Sequence, residues 1–124
     1  MTRVLYVEDE DDIRENFARE LRQAGLDVIE ERLAEAALQS LNDWVPDLVL
    51  LDIGMPPGEM TGLELLADLR ENNRWATLPV IVLSGFGDHL NADIMARLDV
   101  RAVLTKTDVT GTDVARRIEA VLKL

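Results

Sequence analysis

Residues 48–52 read Leu-Val-Leu-Leu-Asp, a run of aliphatic residues that ends abruptly on a carboxylate. A strand with one solvent-exposed face would alternate between apolar and polar residues, and this run does not alternate. It therefore predicts a central strand that is covered on both faces. Gly54, Pro56, Pro57 and Gly58 come next, and they predict a loop directly after the strand.

Four further apolar runs lie on either side of this segment and are short enough to be buried strands. They cover residues 4–7, 26–30, 79–83 and 101–104. Apolar residues recur at helical spacing after each of the five runs. In the first helical segment these residues are Ile13, Phe17 and Leu21, and Gly25 follows where a helix C-terminal cap is expected.

The later helical segments have recognisable starting points. Thr61, with Glu64 three residues further on, indicates a capping box at the start of the third helix. Three leucines of this helix are expected to face the core: Leu63, Leu66 and Leu69. The fourth helix is predicted to begin at Asp88 or Asn91, and the fifth near Thr112.

A strand followed by a helix thus occurs five times, with short connections. Such alternation predicts an α/β fold in which right-handed crossovers place helices on both faces of a parallel sheet. We expect one domain over residues 1–124, because no linker, solenoid repeat or low-complexity tract interrupts the alternation.

The composition is that of a globular protein with an acidic surface. Of the 124 residues, 48% are hydrophobic and none is cysteine, which excludes disulfides and thiolate metal sites. A formal net charge of −11 opposes contact with phosphate backbones, so we expect no direct nucleic-acid binding. No signal peptide and no membrane-length apolar run is recognisable, so we expect a cytoplasmic protein without membrane contact.

Polar side chains follow four of the five predicted strands. Glu8 and Asp9 follow the first strand, Asp52 ends the third, Ser84 ends the fourth and Lys106 follows the fifth. In open parallel sheets, ligands bind at the carboxyl ends of the strands, where the strand order reverses. If the first, third, fourth and fifth strands are neighbours, these five side chains converge on one edge of the sheet.

Three carboxylates in one place would repel one another unless a cation offsets their charge. Oxygen ligands favour Mg²⁺, or Mn²⁺, over softer metals, and Mg²⁺ keeps waters that leave room for phosphate oxygens. An aspartate can accept a phosphoryl group as an aspartyl-phosphate. The transfer needs positioning and charge neutralisation, which a cation, the Lys106 ammonium and the Ser84 hydroxyl would supply.

Four segments of the chain resemble the receiver domains of bacterial two-component response regulators, and the resemblance covers essentially the whole sequence. The segments are 4–10 (VLYVEDE), 48–56 (LVLLDIGMP), 79–85 (PVIVLSG) and 104–106 (LTK). Each segment alone is weak evidence. Four of them in order, at strand ends and at the right intervals, form a specific signal.

The resemblance implies a flavodoxin-like (βα)5 fold with five parallel strands in the order 2-1-3-4-5. It also implies that Asp52 is the phospho-acceptor, that Ser84 turns towards the phosphoryl oxygens and that Lys106 pairs with them. The implied metal ligands are Glu8, Asp9, Asp52 and the backbone carbonyl of Gly54. Asp9 would bind the metal directly, and Glu8 mainly through water.

By the same resemblance, the phosphoryl donor is a sensor histidine kinase or a histidine phosphotransfer protein, and the reaction requires Mg²⁺. Helix 4, strand 5 and helix 5, here about residues 88–124, would form the output surface. That surface would contact a downstream protein, an effector domain or a second copy in a homodimer. Such a protein is a switch rather than an enzyme, with autophosphatase activity at most. Because the sequence ends with its fifth predicted helix, we expect a stand-alone receiver or one taken from a longer chain.

The chain departs from the family pattern at three places. Val103 stands where receivers usually have an aromatic residue, and Thr107 stands where a proline in a cis peptide usually follows the lysine. A non-proline cis bond costs about 3–4 kcal/mol, so a trans peptide and a strained one both remain open. Met60 occupies the usual glycine position and Gly62 comes two residues later, which indicates a longer loop. These departures affect the output mechanism rather than the acceptor chemistry.

Three other functions are compatible with parts of this pattern. A haloacid-dehalogenase-type phosphatase would carry a second acid two residues after its nucleophile, where this chain has Gly54. A degenerate receiver would act as an interaction module without accepting phosphate. Val103 and Thr107 keep that alternative open, while the intact acidic set argues against it. A nucleotide-binding protein is the weakest alternative, because no glycine-rich phosphate loop follows a strand.

Overall fold

Strands and helices alternate along the chain, as the hydrophobic periodicity predicts. The computed structural model describes residues 1–54, 60–85 and 90–123. The strands are β1 (Arg3–Val7), β2 (Asp27–Glu31), β3 (Leu48–Asp52), β4 (Val80–Ser84) and β5 (Val100–Thr105). The helices are α1 (Asp11–Gln23), α2 (Ala34–Asp43), α3 (Gly62–Glu71), α4 (Ala92–Arg97) and α5 (Gly111–Leu122). The loop predicted at Pro56, Pro57 and Gly58, and the helix start at Asp88, lie outside the described residues.

The five strands form one parallel sheet in the order β2-β1-β3-β4-β5, which confirms the expected topology. The order reverses between β1 and β3, so the crevice expected for ligands lies at the carboxyl ends of these two strands. Asp52 pairs with Leu83 across β3 and β4, and Ser84 pairs with Thr105 across β4 and β5. Four strand ends that carry polar residues are therefore adjacent.

Helices cover both faces of the sheet, and this explains why β3 does not alternate. Val4, Leu48 and Leu50 belong to an apolar layer that α1 and α5 cover. Val49 and Leu51 belong to a second layer, which α2, α3 and α4 cover. Every residue of β3 is buried as a result.

Two helices begin with capping boxes. The Thr61 hydroxyl accepts from the Glu64 N–H at 3.1 Å, and the Glu64 carboxylate accepts from the Thr61 N–H at 3.1 Å, as predicted for α3. Thr110 and Asp113 form the same arrangement, and α5 begins at Gly111, one residue before the predicted start near Thr112. The first helical residue follows directly on the capping residue.

The prediction that Leu63 faces the core is wrong. Leu63 is 38% exposed, whereas Leu65 is 1% exposed and packs in the second apolar layer. The buried face of α3 comprises Gly62, Leu65, Leu66 and Leu69, which follow the i, i+3, i+4, i+7 spacing of one helix face. At 3.6 residues per turn, Leu63 lies outside the arc of the helix that these four residues cover, and so faces away from the core.

Candidate functional site

The polar residues that close β1 and β3 meet at one point. Carboxylate oxygens of Glu8, Asp9 and Asp52 lie within 4.8 Å of one another. Glu8 is fully buried and Asp52 is 3% exposed, whereas Asp9 is half-buried in the connection from β1 to α1. The pairing of β1 with β3 produces this cluster, because parallel neighbours end at the same edge of the sheet.

Lys106 reaches the cluster from the end of β5. Its Nζ atom lies 3.0 Å from Oδ2 of Asp52 and 2.5 Å from Oε1 of Glu8. The Lys106 backbone N–H donates to the Ser84 carbonyl at 2.8 Å, which continues the β4–β5 ladder up to the lysine. No described residue follows a cis peptide, so the bond between Lys106 and Thr107 is trans.

The close carboxylates change the proton affinities of the site. Burial raises the pKa of Glu8 to about 8, the neighbouring Asp52 adds to the rise, and the Lys106 ammonium opposes it. Burial acts to lower the pKa of Lys106, but the two carboxylates outweigh it and hold that pKa above its usual value. The site thus carries more negative charge than one lysine offsets, and a divalent cation would relieve the excess.

Two glycines lie against the backbone and side chain of Asp52. The Gly54 N–H donates to Oδ1 of Asp52 at 3.0 Å. A Cβ on Gly62 would lie 2.8 Å from the Asp52 carbonyl oxygen and 3.0 Å from Cα of Ile53. Real Cβ atoms do not approach backbone so closely, and the first turn of α3 therefore requires glycine at position 62. Gly62, which lies two residues later than the glycine of the family pattern, makes this contact.

Ser84 is buried at the end of β4, with its hydroxyl donating to the Leu104 carbonyl at 3.3 Å. The structure therefore brings Ser84 to the same edge of the sheet as the acids but pairs its hydroxyl with the β5 backbone. Val103 is 45% exposed, so this position contributes an aliphatic surface where an aromatic ring is usual.

Arg14 was not recognised from the sequence as part of the site. Its Nη1 atom donates to the backbone carbonyl of Glu8 at 3.0 Å, and the residue is only 8% exposed. One signal could have identified it. Position 14 shares the buried face of α1 with Phe17, Ala18 and Leu21, and an arginine on an apolar face needs specific partners.

A cleft of about 320 Å³ opens above Asp52. Its lining includes Glu10, Ile13, Gly54, Lys106 and Thr107. A water molecule takes up about 30 Å³ of liquid. The cleft therefore has room for a hydrated cation together with a phosphoryl group. No helix among the described residues has the length and apolar character needed to cross a bilayer.

Comparisons with known proteins identify the family and the fold of the chain. The family model described as the response regulator receiver domain matches residues 4–119. The KDP operon transcriptional regulatory protein KdpE of Escherichia coli K12 is 39% identical over 82% of this chain and 42% of its own length. The phosphate regulon transcriptional regulatory protein PhoB of the same strain is 32% identical over 98% of this chain and 52% of its length.

This chain therefore spans about half the length of the curated relatives it matches. Among solved structures, a response regulator receiver domain protein from Clostridium thermocellum superimposes with a TM-score of 0.84. The superposition covers 98% of this chain and 94% of the other chain. The two sequences are 24% identical, a level of identity that supports the fold alone. With its family match, its curated relatives and its strand order, this chain belongs to the receiver domains of two-component response regulators.

Proposed function

We propose that Asp52 accepts a phosphoryl group from the phosphohistidine of a sensor kinase or a histidine phosphotransfer protein. The observation that carries the proposal is the surroundings of Asp52. Its buried carboxylate lies 3.0 Å from the Lys106 ammonium and within 4.8 Å of two further acids. A carboxylate with a fixed cation at one side and an open cleft above it is suited to nucleophilic attack on phosphorus.

The residues present fit a Mg²⁺ ion, with Mn²⁺ as the alternative. Glu8, Asp9, Asp52 and the Gly54 carbonyl would hold it through hard oxygen donors, the class that both metals prefer. When bound, the cation would neutralise charge on the oxygens of the transferring group. The pKa of Glu8 is raised chiefly by burial and further by the neighbouring Asp52, and a bound cation would offset both effects.

In the proposed transfer, a carboxylate oxygen of Asp52 forms the new bond to phosphorus as the bond from phosphorus to the histidine nitrogen breaks. The imidazole leaves with the electron pair and takes up a proton. Lys106 would remain paired with the developing negative charge. Ser84 would exchange its 3.3 Å hydrogen bond to the Leu104 carbonyl for one to a phosphoryl oxygen.

We also propose that the phosphorylated domain signals through α4, β5 and α5, to a downstream protein, an effector domain or a second copy of the chain. Lys106 links the site to this surface, since it directly follows β5. Residues 1–124 would act as one cytoplasmic domain and a switch, with autophosphatase activity at most. The net charge of −11 opposes direct DNA contacts by these residues. Any effect on transcription would therefore pass through a partner or an attached domain.

The test is phosphorylation by a small-molecule donor. Wild-type protein is incubated with acetyl phosphate and Mg²⁺ and examined by intact mass, beside Asp52→Asn and Asp43→Asn. Asp43 is an exposed acid at the end of α2 and serves as the matched control. A gain of one phosphoryl group in wild type and Asp43→Asn, but not in Asp52→Asn, supports the proposal.

Two other outcomes would contradict the proposal. No gain in any form would favour the degenerate interaction module, and rapid turnover of unrelated phosphate esters would favour a hydrolase.

Mass is a better readout than tryptophan fluorescence here. Trp44 and Trp75 precede β3 and β4, at the edge of the sheet opposite to Asp52.

A further inference from the structure

We propose that Arg14 is a positioning residue for the metal site. It holds the peptide that joins Glu8 to Asp9, and thereby places the Asp9 carboxylate where the cation binds. The inference rests on the proposed function, because it concerns the same cation.

Both backbone groups of Glu8 are held by neighbouring elements. β1 ends at Val7, and beyond it the Glu8 N–H donates to the Glu31 carbonyl at 3.0 Å. On its other side, the Glu8 carbonyl accepts from Nη1 of Arg14 at 3.0 Å, in a buried contact. Arg14 thus supplies the hydrogen bond that holds this carbonyl past the end of the strand.

This contact matters for Asp9 because a peptide unit is planar. The carbonyl of Glu8 and the N–H and Cα of Asp9 belong to one rigid plane. Fixing the carbonyl therefore fixes the orientation of the peptide that leads into Asp9. Asp52 is held within β3 and by Gly54. Asp9 lies in the connection to α1, and its placement depends on the backbone of that connection.

The guanidinium of Arg14 is itself fixed by two carboxylates. Its Nη2 atom lies 2.9 Å from Oδ1 of Asp11, and its Nε lies 3.3 Å from Oε1 of Glu30. Arg22 in turn holds Glu30 at 2.8 Å, and Arg32 contacts Asp11 at 3.2 Å. All three nitrogens of the guanidinium are engaged, so its fork meets the Glu8 carbonyl in one orientation.

The same contacts permit a simpler role, in which Arg14 only joins α1 to β2 and stabilises the fold. Glu30→Gln separates the two roles. It removes the negative charge that pairs with Arg14, but the amide oxygen of glutamine can still accept from Nε, so the guanidinium keeps its orientation and its hydrogen bond to the Glu8 carbonyl. If Arg14 only stabilised the fold, Arg14→Met and Glu30→Gln would change Mg²⁺ binding alike. If Arg14 positions Asp9, Mg²⁺ binding weakens only when Arg14 itself is changed.

The experiment measures Mg²⁺ affinity by calorimetry, and Mn²⁺ affinity from the paramagnetic resonance of the free ion. It compares wild type, Arg14→Met, Arg14→Lys and Glu30→Gln, with thermal unfolding in EDTA recorded for each. We expect Arg14→Met to weaken Mg²⁺ binding by about 10–100-fold, the usual effect of removing a group that orients a ligand. Arg14→Lys should give partial rescue. Glu30→Gln should lower the melting temperature but leave the affinity near that of wild type.

Unchanged affinity in Arg14→Met would overturn the inference, as would equal weakening in Glu30→Gln. If Arg14→Met does not fold, Arg14→Lys decides, since one ammonium cannot reproduce the planar fork. Wild-type affinity in the lysine variant would then overturn the inference. Wild-type protein that binds no Mg²⁺ would overturn the proposed function as well, so the two failures are distinguishable.

Discussion

The Nζ atom of Lys106 lies 3.0 Å from Oδ2 of Asp52, although β4 separates the strands that carry the two residues. The same ammonium lies 2.5 Å from Glu8 and bridges the acids that close β1 and β3. Glu8 and Asp52, which pair with Lys106, are also two of the acids that would hold a divalent cation. The lysine is expected to assist phosphoryl transfer and to oppose metal binding.

Lys106→Met should change these two properties in opposite directions. Without the ammonium, Mg²⁺ affinity should rise by roughly 3–10-fold, because a like charge is removed from the site. Phosphorylation by acetyl phosphate should slow by about 10²–10³, the usual effect of losing one group that stabilises developing charge. Calorimetry and intact mass measure the two effects, with exposed Lys123→Met as control. A parallel fall in both would contradict the prediction.

The stability of metal-free protein should fall as the pH rises through the range in which Glu8 titrates. The pKa of Glu8 is raised from 4.5 to about 8, chiefly by burial, so the folded state holds this proton more tightly than the unfolded chain. Its contribution to stability is complete below pH 4.5 and is lost as the pH rises through about 8. Urea unfolding in EDTA should show this slope in wild type but not in Glu8→Gln. Identical slopes in the two proteins would sink the prediction.

Gly62→Ala should disturb the acceptor, whereas Gly25→Ala should affect stability alone. The added methyl at position 62 meets backbone of Asp52 and Ile53, and the resulting shift should cost about 1–3 kcal/mol and slow phosphorylation. Gly25 has φ +94° and open space around it, so alanine there should cost about 1–2 kcal/mol from backbone strain. Denaturant unfolding and intact mass test the pair. Equal phosphorylation rates in both variants would refute the role given to Gly62.

Arg70 should be important for stability, although its contacts lie before β4 and β5, at the opposite end of these strands from the candidate site. Its guanidinium donates to the Leu98 carbonyl at 2.6 Å and to the Leu78 carbonyl at 2.7 Å. It thereby joins α3 to the segments before β4 and β5. Arg70→Met leaves these carbonyls without their partner and should cost about 1–3 kcal/mol.

Hydrogen exchange should also become faster around residues 75–79 and 98–100 in Arg70→Met. The matched control is Arg74→Met, which removes an exposed guanidinium 4.5 Å from the centre of the Trp75 ring. That change should cost no more than about 1 kcal/mol. Equal losses of stability in the two variants would show that the carbonyl contacts of Arg70 contribute little.

Most of the fold was predictable because hydrophobic periodicity is a local property of the chain. Residues 48–52 show the central strand, Thr61 and Glu64 show the start of α3, and the alternation of elements shows the parallel sheet. The acids and the lysine at the strand ends are visible for the same reason, since each interrupts an apolar run. Periodicity also assigned Leu63 to the wrong face, because Leu63, Leu66 and Leu69 share a three-residue spacing, whereas the buried leucines are Leu65, Leu66 and Leu69.

The sequence by itself determined which segments become strands and helices and which polar groups close them. The tertiary structure decided what those groups contact. It paired the Ser84 hydroxyl with the Leu104 carbonyl, brought the Arg14 guanidinium to the Glu8 carbonyl and packed Gly62 against Asp52. These contacts join residues from different elements, and their distances depend on how helices pack on the sheet. Local spacing along the chain carries no record of that packing.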